Sequence, residues 1–239
     1  MKNKLLVIIF CLFAVILNAQ TTETATWDFP VKPGTQEWAS FTTSQQMLDA
    51  CQIPQKVLET LSTKELANVC LNYPLFIEYT ALDDERKAIS SMIENFNGLK
   101  ELSKRKDGTQ ELINLYKEYP VMPDENQNRF SKDSHSYFKL PFLELLLADD
   151  CFIMQLDGKQ FSELEKVVLE KYVIMLANTD VFSLWSFKKI FLLGAVITDQ
   201  NVMTTKSPAQ KETVKRFIVN YRHADPALIT EISKIISGI

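Results

Sequence analysis

The sequence predicts an all-α protein that folds as a single compact unit, and three observations lead to this prediction. The first is an internal repeat: the segment Ser162–Ile239 reads as one helix pair written twice, with a shift of 45 residues. Under that shift Tyr172 falls on Phe217, for example. A period of about 40–47 residues with two helices per unit is typical of HEAT- and armadillo-like folds. We therefore expect antiparallel helix pairs stacked as an α-α superhelix.

The second observation is a series of signals for helix starts and stops. In a capping box, a polar side chain accepts from a free backbone N–H, and a residue three positions later reaches back. The pairs with this spacing are Thr43 with Gln46, Ser62 with Glu65, Asp107 with Gln110, Ser162 with Glu165 and Ser207 with Gln210. The prolines expected in first helical turns are Pro54, Pro74, Pro208 and Pro226, and the glycines expected just past helix ends are Gly98 and Gly108.

The third observation is the spacing of apolar residues, which recur at three and four positions and nowhere alternate convincingly with period two. One such stripe is Leu66, Val69, Cys70 and Tyr73, and another is Val214, Phe217, Ile218 and Tyr221. The segments predicted as helices over 141–148 and 164–176 are apolar on most sides. We expect both of these helices to be central.

The first twenty residues have the pattern of a secretory signal peptide. Lys2 and Lys4 form a short basic region, and an apolar run follows over residues 5–17. That run is too short for a membrane-spanning helix, which needs roughly 17–25 residues. The small residue Ala19 stands at the expected cleavage site. An uncleaved membrane anchor is the alternative interpretation.

The rest of the chain is divided by two polar stretches. The stretch before residue 41 contains prolines and a glycine without any period, which predicts a flexible leader held at its end by aromatic side chains. The predicted organisation is a signal peptide (1–19), a flexible leader (20–40), an N-terminal helical half (41–119), a polar loop (120–136) and a C-terminal helical repeat half (137–239).

The charge balance excludes some classes of partner. The net charge is −4 at pH 7, and loss of Lys2 and Lys4 with the signal peptide would make it more negative by two. A mildly acidic chain has no basic footprint for nucleic acid. The one basic run, Lys104–Lys106, is followed by Asp107 and is interpreted as a solvated helix end. Since no later stretch is predicted to span a membrane, we expect a periplasmic or extracellular protein.

Three cysteines remain after cleavage: Cys51, Cys70 and Cys151. In an oxidising compartment one disulfide is compatible with this number, and Cys51–Cys70 is the local pairing. In the other interpretation all three are small buried apolar side chains, because each lies among helical core positions. The sequence leaves both interpretations open.

Several sequence motifs, most of them in the N-terminal half, are specific enough to indicate a relationship to other proteins. They are CQIPQKVLETLSTKELANVCLNYPLFIEY, FNGLKEL and KRKD, between Trp38 and Tyr119, and more faintly FKLPFLELLLA. Together with a signal ending in Asn-Ala-Gln, they resemble a group of uncharacterised exported proteins of Bacteroidota-type bacteria. The resemblance implies export and assigns no activity to any residue.

The usual catalytic motifs are absent from the sequence. Of the two histidines, His135 lies in a polar loop, and His223 follows a predicted helix, where it would meet the negative end of the helix dipole. The cysteines and histidines lack zinc-site spacing, and every glycine is isolated, so no phosphate-binding loop can form. We therefore assign no catalytic residue, no metal ligand and no cofactor, and expect a non-enzymatic protein.

The alternative is an enzyme or metal-binding protein whose carboxylates meet between helices. The candidate carboxylates are Glu144, Asp149 and Asp150, facing Glu163 or Glu165. A helical fold with inward carboxylates can hold a metal or carry out acid–base chemistry. In the simpler interpretation Asp149-Asp150 and Asp157-Gly158 end one helix and form the turn before the next.

Aromatic residues outside the periodic stripes are candidates for binding a partner. They are Trp27 and Trp38, in the leader, and Trp185. Phe187 and Phe191 are instead expected in the core. The preferred function is a protein- or peptide-interaction module that contacts another envelope or secreted protein, since helical superhelices present concave surfaces to partners. A purely structural envelope or secretion accessory role is a further hypothesis.

Cleavage of the signal peptide is directly testable. We expect the mature protein recovered from its own cells to begin at Gln20, because cleavage is predicted after Ala19. Mass spectrometry of the N-terminal peptide checks this. A protein that retains Leu5 and the apolar run after it would contradict the prediction and favour the uncleaved anchor.

Overall fold

The computed structural model describes residues 27–122, 136–201 and 205–238, and their regular structure is entirely helical, without a strand. The predicted signal peptide and residues 123–135, His135 included, lie outside the described residues. The helices are α1 (Gln36–Ser40), α2 (Ser44–Ala50), α3 (Gln55–Thr60), α4 (Thr63–Leu71), α5 (Glu85–Asn95), α6 (Asn97–Leu102), α7 (Gly108–Glu118), α8 (Ser136–Leu147), α9 (Asp150–Ile153), α10 (Gly158–Leu176), α11 (Lys188–Gln200), α12 (Pro208–Val219) and α13 (Pro226–Ser237), with short 3-10 helices at Phe76–Thr80 and Tyr221–His223. The all-α prediction is confirmed.

The most enclosed element is α11. Every residue from Ile190 to Thr198 is buried, which is the pattern of a helix covered on all sides. Five other helices supply that cover: α8, α9, α10, α12 and α13. Since α8 also packs on α5, α7 and the first 3-10 helix, it connects the two halves of the chain around one core.

The predicted start of α8 is wrong. The helix begins at Ser136 rather than Pro141, so that the proline lies inside it. A proline is well tolerated in the first turn, which favours a start at Pro141, but burial of Leu140 extends the helix toward its N-terminus. The prediction that this helix is central is confirmed, because residues from Phe142 to Ala148 are all buried.

The capping boxes are confirmed at three of the five predicted places. Thr43, Ser62 and Ser207 each cap a helix with reciprocal contacts to the third residue of that helix. The box predicted at Ser162 is wrong, because α10 begins five residues earlier, with Asp157 and Gln160 as the box. The box predicted at Asp107 is also wrong, since its carboxylate accepts from the Thr63 hydroxyl at 2.9 Å instead.

The two glycines predicted as stop signals lie at helix starts. Gly98 is the second residue of α6, and Gly108 is the first residue of α7. A Cβ at Gly108 would lie 2.2 Å from the carbonyl oxygen of Leu102. Glycine is therefore required at 108 for the close approach of the α6–α7 turn, and not for ending a helix.

The helix boundaries do not keep one period of 45 residues. The first helix of each predicted pair begins at Gly158 and at Pro208, whereas the second begins at Lys188 and at Pro226. The offsets between corresponding helices are therefore 50 and 38 residues. The second pair is shorter than the first, and a fixed shift aligns only part of it.

The end of the predicted leader packs on the N-terminal half. Phe29 is buried, and its ring centroid lies 6.2 Å from that of Tyr73 and 6.1 Å from that of Phe96. Residues Gln36–Ser40 form the short helix α1. Aromatic burial therefore fixes this part of the chain, as the sequence predicts for its aromatic side chains.

Two side chains connect helices that are far apart in sequence. The Asn97 amide oxygen accepts from Ile53 N–H at 2.9 Å, and its nitrogen donates to the Ile53 carbonyl at 2.7 Å. Arg105 donates to the carbonyls of Leu61 and Leu58, at 2.7 and 2.9 Å, at the end of α3. The interpretation of this basic run as a solvated helix end is therefore wrong for Arg105, whereas Lys104 and Lys106 are exposed as expected.

Replacing Gly108 with alanine should destabilise the protein. We expect the free energy of unfolding to fall by about 1–3 kcal/mol, because the new methyl group meets the Leu102 carbonyl. Gly158→Ala is the matched control: Gly158 is also the first residue of a helix, but a Cβ there meets nothing within 4 Å. That variant should be unchanged or more stable by up to about 1 kcal/mol. Urea unfolding followed by circular dichroism measures both, and equal effects would contradict the prediction.

Candidate functional site

Exposed apolar side chains are concentrated at one end of α10 and in the turn that follows it. Nine large apolar side chains are exposed among the described residues, and five of them fall between residues 173 and 185. These five are Val173, Ile174, Leu176, Leu184 and Trp185. All five belong to the last turn of α10 or to the segment that joins it to α11. Apolar side chains that form a contiguous exposed patch mark contacts with other molecules more often than scattered single residues do.

One side of α10 also forms an open, shallow part of the surface. The lining residues are Leu169, Val173 and Ile174 at the apolar end and Ser162, Glu165, Lys166 and Glu170 at the polar end. We call these seven residues the α10 groove. The prediction that this helix is central therefore holds for the side that carries Leu164 and Tyr172, and is wrong for the side that carries the groove.

Of the three tryptophans proposed from the sequence, Trp185 is the most exposed, at 55%. It lies in the turn between α10 and α11, and the Lys188 ammonium lies 6.0 Å from the centre of its ring. The same ammonium lies 4.5 Å from the centre of the Tyr221 ring. Phe187 and Phe191, which follow Trp185, are buried in the core as predicted.

Trp27 and Trp38 are half-buried and lie far from Trp185 in the chain. The Trp27 ring packs edge-on against Phe29 at 4.6 Å, and the Trp38 ring lies 5.9 Å from Phe41. Both pack against the hydrophobic core. Their contacts hold the N-terminal segment in place, which leaves a smaller exposed area for a partner than Trp185 has.

A buried carboxyl group occupies the centre of the molecule. Glu144 on α8 is 3% exposed, and it accepts a hydrogen bond from the Tyr116 hydroxyl at 3.2 Å. Burial raises the pKa of Glu144 to about 8, although the Tyr116 hydrogen bond and the charges of Lys171 and Lys189 lower it. A carboxyl group with such a pKa can gain or lose a proton near neutral pH.

Lys171 on α10 is a buried cation whose charge acts on Glu144. Its ammonium donates to the Tyr119 carbonyl at 2.6 Å and lies 4.9 Å from the centre of the Tyr116 ring. Burial lowers the pKa of Lys171, and the nearby Glu144 charge raises it. We call Glu144, Tyr116 and Lys171 the Glu144 cluster.

A second polar cluster joins the N-terminal half to the C-terminal half. Glu85 on α5 pairs with Lys189 on α11 at 2.8 Å and accepts from the Tyr221 hydroxyl at 2.9 Å. Arg86 donates to the carbonyl of Ile218 at 3.1 Å beside it. Because these groups are largely shielded from water, each pairing contributes more than an exposed ion pair would.

The carboxylates of the alternative hypothesis are not brought into one site. Asp149 caps α9 and accepts from the Ser90 hydroxyl at 2.8 Å, while Glu163 pairs with Lys117 at 2.7 Å. Asp150 and Glu165 are exposed, and Glu144 is buried. Within the described residues no group of three His, Cys, Asp or Glu could hold a metal ion. The simpler interpretation, in which Asp149 and Asp157 lie in the turns before helices, is confirmed.

The cysteines divide into two kinds. Cys51 and Cys70 are free and buried, as the second interpretation of the sequence predicts, and burial raises the pKa of the Cys51 thiol to about 12. Cys151 is free and exposed, so that interpretation is wrong for this residue. Burial and the charges of Asp149 and Asp150 raise its pKa, which disfavours the reactive thiolate.

One feature of the sequence indicates the Glu144 cluster. Glu144 is the single charged residue in the apolar run 140–148. A charge in a helix that is apolar on most sides must itself be buried, and it then needs a polar partner. The partner, Tyr116, lies on another helix, and no local pattern indicates it.

Comparison with models of protein families, with curated proteins and with solved structures finds no match for this chain. Among the described helices, none has both the length and the apolar character needed to cross a membrane.

The hydrogen bond from Tyr221 to Glu85 can be tested with a double-mutant cycle of Glu85→Gln and Tyr221→Phe. We expect a coupling free energy of about 0.5–3 kcal/mol, because the phenol donates to a shielded carboxylate. Urea unfolding of the four proteins measures it. The control cycle pairs Tyr221→Phe with Glu163→Gln, since Glu163 bonds Lys117 and Gln110 instead. Additive effects in both cycles would contradict the expected coupling.

Proposed function

We propose that this is an exported, non-enzymatic protein that binds another envelope or secreted protein through the α10 groove and Trp185. The observation that carries the proposal is the concentration of exposed apolar side chains between Val173 and Trp185. No cofactor or metal is part of the proposal.

The chemistry of the α10 groove favours one class of partner segment. The apolar end, at Val173 and Ile174, is continuous along the helix with the polar end, where Glu165 and Glu170 outnumber Lys166. A partner helix with apolar residues at one end and basic residues at the other would match both ends. Trp185 adds a large, rigid apolar contact of the kind that dominates binding energy.

We also propose that the helix pairs form a HEAT- or armadillo-like superhelix. It is supported by the packing of α10 on α11, of α11 on α12 and of α12 on α13, as expected for successive helix pairs. The unequal lengths of the two pairs count against a regular repeat. An experimental structure in which consecutive pairs are related by a common rotation would support the superhelix.

We also propose that the protein is exported and belongs to a group of exported bacterial proteins. The basic and apolar pattern of residues 1–19 supports export, and the words between Trp38 and Tyr119 support kinship with uncharacterised exported proteins of Bacteroidota-type bacteria. Location in the periplasm or outside the cell follows from export. A partner should therefore be sought among envelope and secreted proteins.

Substitution of Val173 by glutamate should weaken partner binding. Cross-linking in the protein's own cells, followed by mass spectrometry, first identifies the partner, and the dissociation constant is then measured with purified proteins. We expect Val173→Glu and Trp185→Ala each to weaken binding roughly tenfold or more, because a charge or a void replaces an apolar contact. The free energy of unfolding should change by less than about 0.5 kcal/mol, since both side chains are exposed.

Val219→Glu is the matched control. Val219 is 82% exposed and lies at the end of α12, so that it receives the same charge change outside the groove. Binding by this variant should equal binding by the wild type. Equal loss in Val173→Glu and Val219→Glu, or a partner that binds all variants alike, would refute the α10 groove as the binding surface.

A further inference from the structure

The Glu144 cluster lies where three helices meet. Glu144 belongs to α8, Tyr116 to α7 and Lys171 to α10, and the side chains of all three are buried. Within the described residues Glu144 makes no ion pair, and the Tyr116 hydroxyl is its hydrogen-bond donor. A neutral carboxyl group suits these surroundings, whereas a buried carboxylate needs a cation in contact.

Lys171 is the cation that could supply this contact, but another acceptor holds it. Its ammonium donates to the Tyr119 carbonyl, which follows the last residue of α7. This bond joins the C-terminal parts of α10 and α7. Lys171 cannot turn toward Glu144 and keep this bond in the same geometry, because a hydrogen bond requires both short distance and alignment.

The other charged neighbours of Glu144 are already engaged. Lys189 on α11 pairs with Glu85, whose negative charge lies in the same region. Burial, followed by the charges of Glu85 and Glu144, raises the pKa of both Tyr79 and Tyr221, so that both phenols stay neutral.

The ionisable groups around Glu144, element by element, are Tyr79 (first 3-10 helix), Glu85 (α5), Tyr116 (α7), Lys171 (α10), Lys189 (α11) and Tyr221 (second 3-10 helix). The helix α9 presents the apolar side chains of Phe152 and Ile153 to the core.

We propose that loss of the proton from Glu144 releases the C-terminal part of α10 from α7. The carboxyl proton passes to water, and the carboxylate then attracts the Lys171 ammonium away from the Tyr119 carbonyl. The contact of the C-terminal part of α10 with α7 weakens, while the surface ion pair of Glu163 with Lys117 still joins the N-terminal part of α10 to the last turn of α7. The device is local, and it does not depend on the identity of any partner.

The direction of the pH effect follows from the two states. In the closed state the pKa of Glu144 is about 8, and in the released state, where water and the Lys171 ammonium reach the carboxylate, it falls toward its ordinary value of 4.5. Below the ordinary value both states hold the proton, and closing is fully favoured. As the pH rises toward 8 only the closed state holds it, so that closing is progressively lost, by up to about tenfold per pH unit. Above pH 8 the effect is complete.

Hydrogen exchange of the full mature protein between pH 5 and 9 tests the proposal. After correction for intrinsic exchange rates, protection of α10 near Lys171 and of the last turn of α7 should fall in the wild type up to pH 8, and then level off. In Glu144→Gln the same amides should keep constant protection. The amides of α13 should show no such fall in either protein.

Two further variants distinguish the device from general destabilisation. Glu163→Gln removes a surface contact between the same two helices, and it should lower protection equally at every pH without changing the slope. Tyr116→Phe removes the hydrogen bond that favours the charged form of Glu144, so that levelling off should move to higher pH. This variant keeps the test decisive even where Glu144→Gln does not fold.

Three results would overturn the proposal. Protection of α10 that is independent of pH in the wild type would show that Glu144 does not control this contact. A fall of the same size in α13 would indicate global unfolding instead of local release. A fall that persists in Glu144→Gln would assign the titration to another group.

Discussion

Burial of α11 on every side is the constraint on which the rest of the fold depends. A helix without a polar side cannot face water, so that five neighbours are needed to enclose it. One of them, α8, also packs on α5 and α7, and it thereby joins the N-terminal helices to the same core. The polar clusters at Glu85 and Glu144 lie along this junction, because polar side chains that are buried beside the apolar middle of α11 must satisfy one another.

The sequence predicted what local chemistry decides. The boxes at Thr43, Ser62 and Ser207 involve residues three positions apart, and the structure has them as expected. At α10, two overlapping boxes satisfy the same rule, and the one at Asp157 forms because the longer helix buries Phe161. Burial in the tertiary structure therefore decides between the capping boxes at Asp157 and Ser162, which the sequence alone does not distinguish.

Prediction of the candidate sites was limited by contacts between distant segments. Exposure of Trp185 follows from its place in a turn, and the sequence already singled it out. Glu144 was named among the candidate carboxylates, but its donor Tyr116 lies 28 residues away on another helix. The acidic site of the alternative hypothesis does not form, because Asp149 bonds Ser90 and Glu163 pairs with Lys117. Pairings of this kind depend on how helices pack, which periodicity does not encode.

The side chain that makes the double hydrogen bond to Ile53 belongs to an Asn-Gly pair, the dipeptide most prone to deamidation. Asn97 is followed by Gly98, and an asparagine before glycine is the one whose amide is most easily attacked by the next backbone nitrogen. Deamidation would replace the donor nitrogen with a carboxylate oxygen facing the Ile53 carbonyl. The position of Asn97 at the start of α6 restrains the backbone against that attack. The same side chain that joins α6 to the segment before α3 is thus preserved by the helix that it begins.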